Sequence, residues 1–304
     1  MVIFRELYTA IECMSISMES LSVHALKGIK NKNKMDDAEL LMFTTLPAFN
    51  PGAITPALLN SLFPFTSLKL IREQLAHLEK NGFVLPTKEN HFALTKAGDA
   101  LALWITKEVN NALSGVLPLP ATSMMDMASQ MKEIADACYA ATEPPAKLQL
   151  PIQRKMTPAG TIPMMARINQ ISRELIAYRA DAHHSAWQAY GVEGHAWEIL
   201  TSLWQGKKMN VDELHKSLAH RGFTMEDTFN SISDLARRGW VLNSNDELSI
   251  TPFGTEVRRI AEDTTDRYYF TPWQTFTEAR INSLCQLVDD FRRGIPVLEE
   301  KQIP

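Results

Sequence analysis

The chain repeats itself. From Val211 to Gly254, DELHKSLAHRG supplies a helix, TMEDTFNSISDLARRG the helix after a turn, WVLNSNDELSIT a short two-stranded hairpin, and PFG the entry to a long helix. From Ile54 to Gly98 the same places are filled by TPALLNSLF, TSLKLIREQLAHLEKNG, FVLPTKENHFALT and KAG. Gly82 matches Gly239 at a separation of 157 residues and Gly98 matches Gly254 at 156, so the copies differ by one residue within the hairpin. A duplication of a whole unit accounts for that register.

The flanking segments repeat as well. Ile3, Leu7, Ile11, Met14, Met18 and Leu21 recur at three- and four-residue steps, which predicts an opening helix with one buried stripe. GIKNKNKMDD at 28–37 reads as a solvated turn carrying Lys30, Lys32 and Lys34 beside Lys27. After the first hairpin comes a helix through DALALWITKEVNNAL, a break at Pro118 and Pro120, and a closing helix with Met124, Met125, Met127 and Met131. Residues 141–165 carry five prolines and no helical period, which predicts a linker. The pattern then restarts with ARINQISRELIAYRADAHHSAWQAYG and closes, after a break at Pro272, with INSLCQLVDDFRR. The expected fold is therefore mainly α: a first winged helix-turn-helix unit at 1–140, the linker, and a second at 166–304. Small β-wings and a shared helical core would give the pair a pseudo-twofold arrangement.

With 45% hydrophobic and 22% charged residues, 304 residues make ordinary globular composition and about two domains. A net charge of -4 gives no global attraction to phosphate, so any DNA contact must be a local patch. Cys13, Cys138 and Cys285 are widely spaced, which predicts reduced, mostly buried thiols and a cytoplasmic setting. The opening MVIFRELYTAIECM is interrupted by charges, and no apolar run is long enough for a membrane span. No GxGxxG or GxxxxGK[ST] occurs, and no nucleophile setting is recognised, so neither an enzyme nor a cofactor is expected. His183, His184 and His195, with Glu193 between, lack HxxxH or HExxH spacing, which argues for packing over metal binding.

The segments Gly82-Phe83-Val84 with Leu94-Thr95-Lys96-Ala97-Gly98, and Gly239-Trp240-Val241 with Ile250-Thr251-Pro252-Phe253-Gly254, resemble the MarR-type winged-helix regulators. The second half is also similar to a bacterial winged-helix family of unassigned function. MarR-type proteins pair as dimers, so the resemblance implies a monomer that imitates a dimer, or a homodimer of such chains. It implies DNA contact through the amino-terminal end of a recognition helix and through the wing. In the first unit those residues are Thr66, Ser67, Lys69, Arg72, His77, Lys88 and His91. In the second, Glu226 and Asp227 replace Lys69 and Leu70, and the tip Asn243-Ser244-Asn245-Asp246-Glu247 is acidic, so DNA is expected to be a partner of the first unit alone. MarR-type proteins take effectors between shared helices and a winged module. Trp187, Tyr190, Trp197, Trp204 and Trp240 read first as core, and the alternative is a site for a small aromatic or apolar effector at His184, Trp187 and Tyr190, whose apolar walls and few polar groups suit a pocket. The alternative is a winged-helix scaffold that binds a small molecule or protein and no DNA.

Overall fold

The computed structural model describes residues 2–50, 52–157, 160, 162–206, 209–244 and 247–296. Asn245 and Asp246 of the second hairpin tip, and Pro158, Ala159 and Thr161 of the expected linker, lie outside the described residues. Among the described residues the chain is mainly helical with two small two-stranded sheets.

Its elements run α1 (Val2–Asn33), α2 (Asp37–Thr45), α3 (Pro56–Leu62), α4 (Leu68–Lys80), β1 (Val84–Lys88), β2 (His91–Leu94), α5 (Lys96–Ser114) and α6 (Ala121–Ala140). They continue with α7 (Gln149–Lys155), α8 (Met164–Gln188), α9 (Gly194–Trp204), α10 (Val211–Ser217), α11 (Met225–Arg237), β3 (Val241–Ser244), β4 (Glu247–Ile250), α12 (Pro252–Phe270) and α13 (Glu278–Gly294). From α8 onward the order of α1 to α6 recurs. The same caps recur with it, because each satisfies the orphan amides of a helix start. Thr55, Ser67 and Thr95 accept from the third helical N–H of α3, α4 and α5. Asn210 and Thr224 do so for α10 and α11, and Thr251 accepts from Gly254 N at 2.9 Å at the start of α12. After α4 and α11, Gly82 and Gly239 each stop the helix at φ 75, a left-handed conformation that favours glycine.

Contacts divide the chain into two compact units. The first gathers residues 1–50, 94–181 and 267–304. Here α1 packs along α13 and α5, and α6 along α13. The expected stripe is its core: Leu7, Ile11, Met14 and Met18 are at most 1% exposed, each burial being worth roughly 1.5–3 kcal/mol. Beside it Tyr8, Tyr269, Phe270 and Trp273 pack ring to ring, with the Arg179 guanidinium 5.0 Å from the Tyr8 ring. Met124, Met127 and Met131 are fully buried, whereas Met125 is exposed.

Three sequence expectations need correction in this unit. The Lys-rich stretch 28–37 is not a turn until its end, because Ile29 is 1% exposed and holds α1 helical to Asn33. Lys34 alone takes φ 54, and Lys30 is paired with Asp37. The stretch 141–165 is not without helix: α7 forms where Leu150 and Ile152 are buried. The amides of Leu148, Gln149 and Leu150 all donate to the Asp181 carboxylate at 2.7–2.9 Å, a tether that no local period announces. Cys138 is buried and Cys285 half-buried, but Cys13 is exposed on α1.

The second unit gathers residues 51–93 and 182–266, and so holds both helix pairs with their hairpins. Its core is built on Trp187, Trp197, Leu200, Leu214, Leu235 and Trp240. Val241 pairs with Ile250 and Ser244 with Glu247 in the antiparallel β3–β4 ladder. A single further bridge extends each hairpin, Ile54 to Phe92 in one and Met209 to Leu248 in the other. Gly254 lets α12 start against the hairpin's base, since a Cβ there would lie 2.3 Å from Trp240 O.

Candidate nucleic-acid interface

α4 is an amphipathic helix in which Ile71, Leu75 and Leu78 are buried, leaving Lys69, Arg72, Glu73 and Lys80 exposed. Lys69 lies 3.7 Å from Glu73, an exposed pair of the kind that contributes little and dissolves in salt. Lys88, at the end of β1, is exposed. His91 is half-buried at the start of β2, with its Nδ1 2.7 Å from Glu89 O, and the hairpin turns at Asn90 with φ 54. His77 is half-buried on α4, its Nε2 3.0 Å from Asn81 Nδ2. Lys69, Arg72, Lys80 and Lys88 are thus four exposed cations on one helix and its hairpin, with Lys80 in the helix's last turn.

The amino-terminal end of α4 is occupied. Ser67 N donates to Arg221 O at 2.8 Å, and the Ser67 hydroxyl donates to Gly222 O at 2.8 Å while accepting from Leu70 N. Ser67 is 5% exposed. Its place among the DNA contacts is therefore withdrawn: the hydroxyl caps its own helix and docks the turn that precedes α11. Thr66 is half-buried, with its carbonyl accepting from Asn60 Nδ2 at 2.9 Å. The docking is close. A Cβ at Gly222 would lie 2.6 Å from Leu70 Cβ, and one at Gly194 would lie 2.0 Å from Pro64 O. Phe65 completes the seam, its ring 5.8 Å from that of Trp187 and 5.9 Å from the Arg221 guanidinium. Arg221 is in turn paired to Glu198 at 2.7 Å.

α11 presents other chemistry on the same frame. Thr224 and Asp227 form a capping box, and the Thr224 bonds hold the Asp227 carboxyl below its ordinary range. Glu226 is exposed beside it, and the position equivalent to Arg72 is Phe229, 50% exposed. At the far end of α11, Arg238 pairs with Asp234 at 2.7 Å and donates to the carbonyls of Tyr190 and Gly191. Residues 154–297 match a helix-turn-helix family. This helix-turn-helix region takes in α10, the turn and α11. No curated protein and no solved structure matches the chain.

The residues expected to take an effector are packed among rings. Trp187 is 2% exposed and stacks on Trp197 with centroids 5.9 Å apart. Tyr190 stacks on Trp197 from 6.1 Å and meets Trp240 edge-on, while His184 sits edge-on to Phe65. The Phe65 ring lies 5.8 Å from that of Trp187. Sequence reading had no means of finding this, because Phe65 precedes Trp187 by more than a hundred residues. Burial lowers the His184 imidazole to about 4, so it serves as a neutral packing group. His195 is likewise lowered to about 4 by burial, lies parallel to the Phe223 ring at 4.0 Å, and reaches Thr228 Oγ1 at 3.2 Å. Among the described residues, no group of three or more His, Cys, Asp or Glu is placed to hold a metal ion. No helix among them is long and apolar enough to cross a membrane.

Proposed function

We propose that this helix-turn-helix protein is a cytoplasmic DNA-binding transcriptional regulator with two tandem MarR-like winged modules, of which only the first touches DNA. The observation that carries the reading is the group of exposed cations Lys69, Arg72 and Lys88, on the first two turns of α4 and on its hairpin, set against exposed Glu226 and Asp227 on α11. Phosphates would be held by those three cations, with His77, His91 and Thr66 at the margin. Because the amino-terminal end of α4 is docked on residues 221–222, contact falls on the middle of the helix and on the wing, where backbone contacts dominate over base reading. The duplicated order of elements supports a single chain that does the work of a dimer.

A second reading is favoured by that same docking. If the base-reading end of α4 stays covered, the modules are a scaffold for a protein or small-molecule partner and DNA is not bound. Fluorescence anisotropy of a labelled mixed-sequence duplex, titrated at low and moderate salt, separates the two. Binding that weakens steeply with salt and is lost in Arg72→Glu supports the regulator. Absence of binding at low salt leaves the scaffold.

A further inference from the structure

We propose that the DNA site of this chain is a single, non-palindromic stretch about one helical turn long, contacted through α4 and its hairpin alone, and that the paired modules do not straddle two half-sites. Such a site deepens the regulator reading and rests on it. Its extent follows from where the modules touch. Both α4 and α11 belong to the second unit. Residues 64–67 lead into α4 as residues 221–224, 157 positions later, lead into α11. These two turns meet, so the modules are joined where their recognition helices begin.

Ser67 N donates to Arg221 O and the Ser67 hydroxyl to Gly222 O, both at 2.8 Å. Ser67 caps α4, and Thr224, two residues beyond Gly222, caps α11. With about 3.8 Å between successive Cα atoms, the two caps stand no more than about 15 Å apart. Recognition helices that enter successive major grooves on one side of a duplex stand about 34 Å apart. Reaching that span would mean giving up the whole seam. Gly222 lies against the Leu70 and Ser67 side chains and Gly194 against the Pro64 backbone, both closer than a side chain would allow. The Arg221 guanidinium stands 5.9 Å from the Phe65 ring, and Ser67 is buried.

The two helices cannot share one groove either. A major groove is about 12 Å wide, and a helix with its side chains is about 10–12 Å across. One helix is left outside, and charge decides which. The Thr224 bonds chiefly, and among the nearby charges that of Lys69, hold the Asp227 carboxyl below its ordinary range, so the cationic and acidic helix starts lie within each other's field. Phosphates drawn to Lys69 and Arg72 are repelled at Glu226 and Asp227, which bounds the footprint on that side. Phe229, in the place of Arg72, offers phosphate nothing in return.

The test uses the full chain and mixed-sequence duplexes of about 12 and about 24 base pairs, roughly one and two helical turns. Anisotropy across a salt series gives the slope of affinity on salt, which counts the phosphates contacted and is unaffected by the number of positions a longer duplex offers. Sedimentation at saturation gives the chains bound per duplex. Equal slopes on the two lengths, with one chain on the shorter duplex and two on the longer, are expected. A slope about twice as steep on the longer duplex, or a longer duplex saturated by one chain, overturns the single-stretch site and leaves the regulator reading standing. Absence of binding to both lengths at low salt overturns the regulator reading and the site with it.

Discussion

α4 and α11 occupy equivalent places and share their cap, buried stripe and terminal glycine, yet their exposed faces have diverged. Lys69 stands where Glu226 does, Leu70 where Asp227 does, and Arg72 where Phe229 does. The inner positions differ too, because Ile71 of α4 is replaced by Thr228, which meets His195 and also His215, at 3.0 Å. In the first module the residue equivalent to His215 is Asn60, which donates to the Thr66 carbonyl instead. What stays constant is what the backbone requires: caps for orphan amides, a glycine at positive φ, leucines at Leu59 and Leu214 that are 0% exposed. Side chains free of that demand have changed sign or polarity. The two helices separate what the backbone requires from what it leaves free within a single chain.

The docking of the modules sharpens the comparison most, because it relies on two glycines of the second, Gly194 against the Pro64 backbone and Gly222 against the Leu70 and Ser67 side chains. Gly194→Val sets a side chain where Pro64 O already stands and should cost roughly 3 kcal/mol in urea denaturation. Gly82→Ala and Gly239→Ala meet open space and carry only the left-handed penalty, so each should cost about 1–2 kcal/mol and the two should agree. A Gly194→Val protein as stable as the parent would mean that the modules are not docked as seen here.

The second effect belongs to the second module's polar interior. Burial holds His195 at about 4, below its ordinary 6.5, so the unfolded chain takes up a proton that the folded chain resists. Stability from this site is full above pH 6.5, is lost as pH falls through that value, and declines no further below about 4. The loss should be on the order of 2 kcal/mol, and His195→Phe, which preserves the contact with Phe223, should flatten the curve in that window relative to the parent. An unchanged difference between the two proteins from pH 7 to pH 4 would remove His195 as its cause.

How much of this was legible in the sequence follows the same division. The duplicated order, the caps and the stripe Leu7, Ile11, Met14 and Met18 are local or periodic signals, and they read directly. Long-range partners do not leave such signals. Asp181 caps the start of α7 from more than thirty residues away, which is why 141–165 reads as a linker. Ser67 carries the residue type of a DNA contact, but the carbonyl of Gly222, 155 residues on, takes its hydroxyl. His184, Trp187 and Tyr190 have pocket composition, and the structure packs their rings on Phe65, Trp197 and Trp240.

Charge reversal tests the exposed faces directly. Arg72→Glu and Lys69→Glu should each weaken binding to a mixed-sequence duplex by about tenfold at low salt and reduce the salt slope by about one. Glu226→Ala should leave binding unchanged or tighten it by less than about threefold, since it removes repulsion without adding a contact. Equal losses from substitutions on α4 and α11 would break the one-sided assignment.

The smallest effect separates two caps that look alike in sequence. Thr224→Ala removes a capping box, leaving the amide of Asp227 without its acceptor, and should cost about 1 kcal/mol. Ser67→Ala removes the acceptor of Leu70 N and also the donor to Gly222 O, which is then left facing a methyl group. A part-buried carbonyl without its partner adds about another 1 kcal/mol, so Ser67→Ala should be the more damaging of the pair. Chemical denaturation of the two variants side by side measures the difference. Equal costs would mean that the Ser67 hydroxyl caps α4 and contributes nothing to holding the turn before α11, leaving that docking to the Ser67 amide on Arg221 O and to the close approach of Gly222 and Gly194.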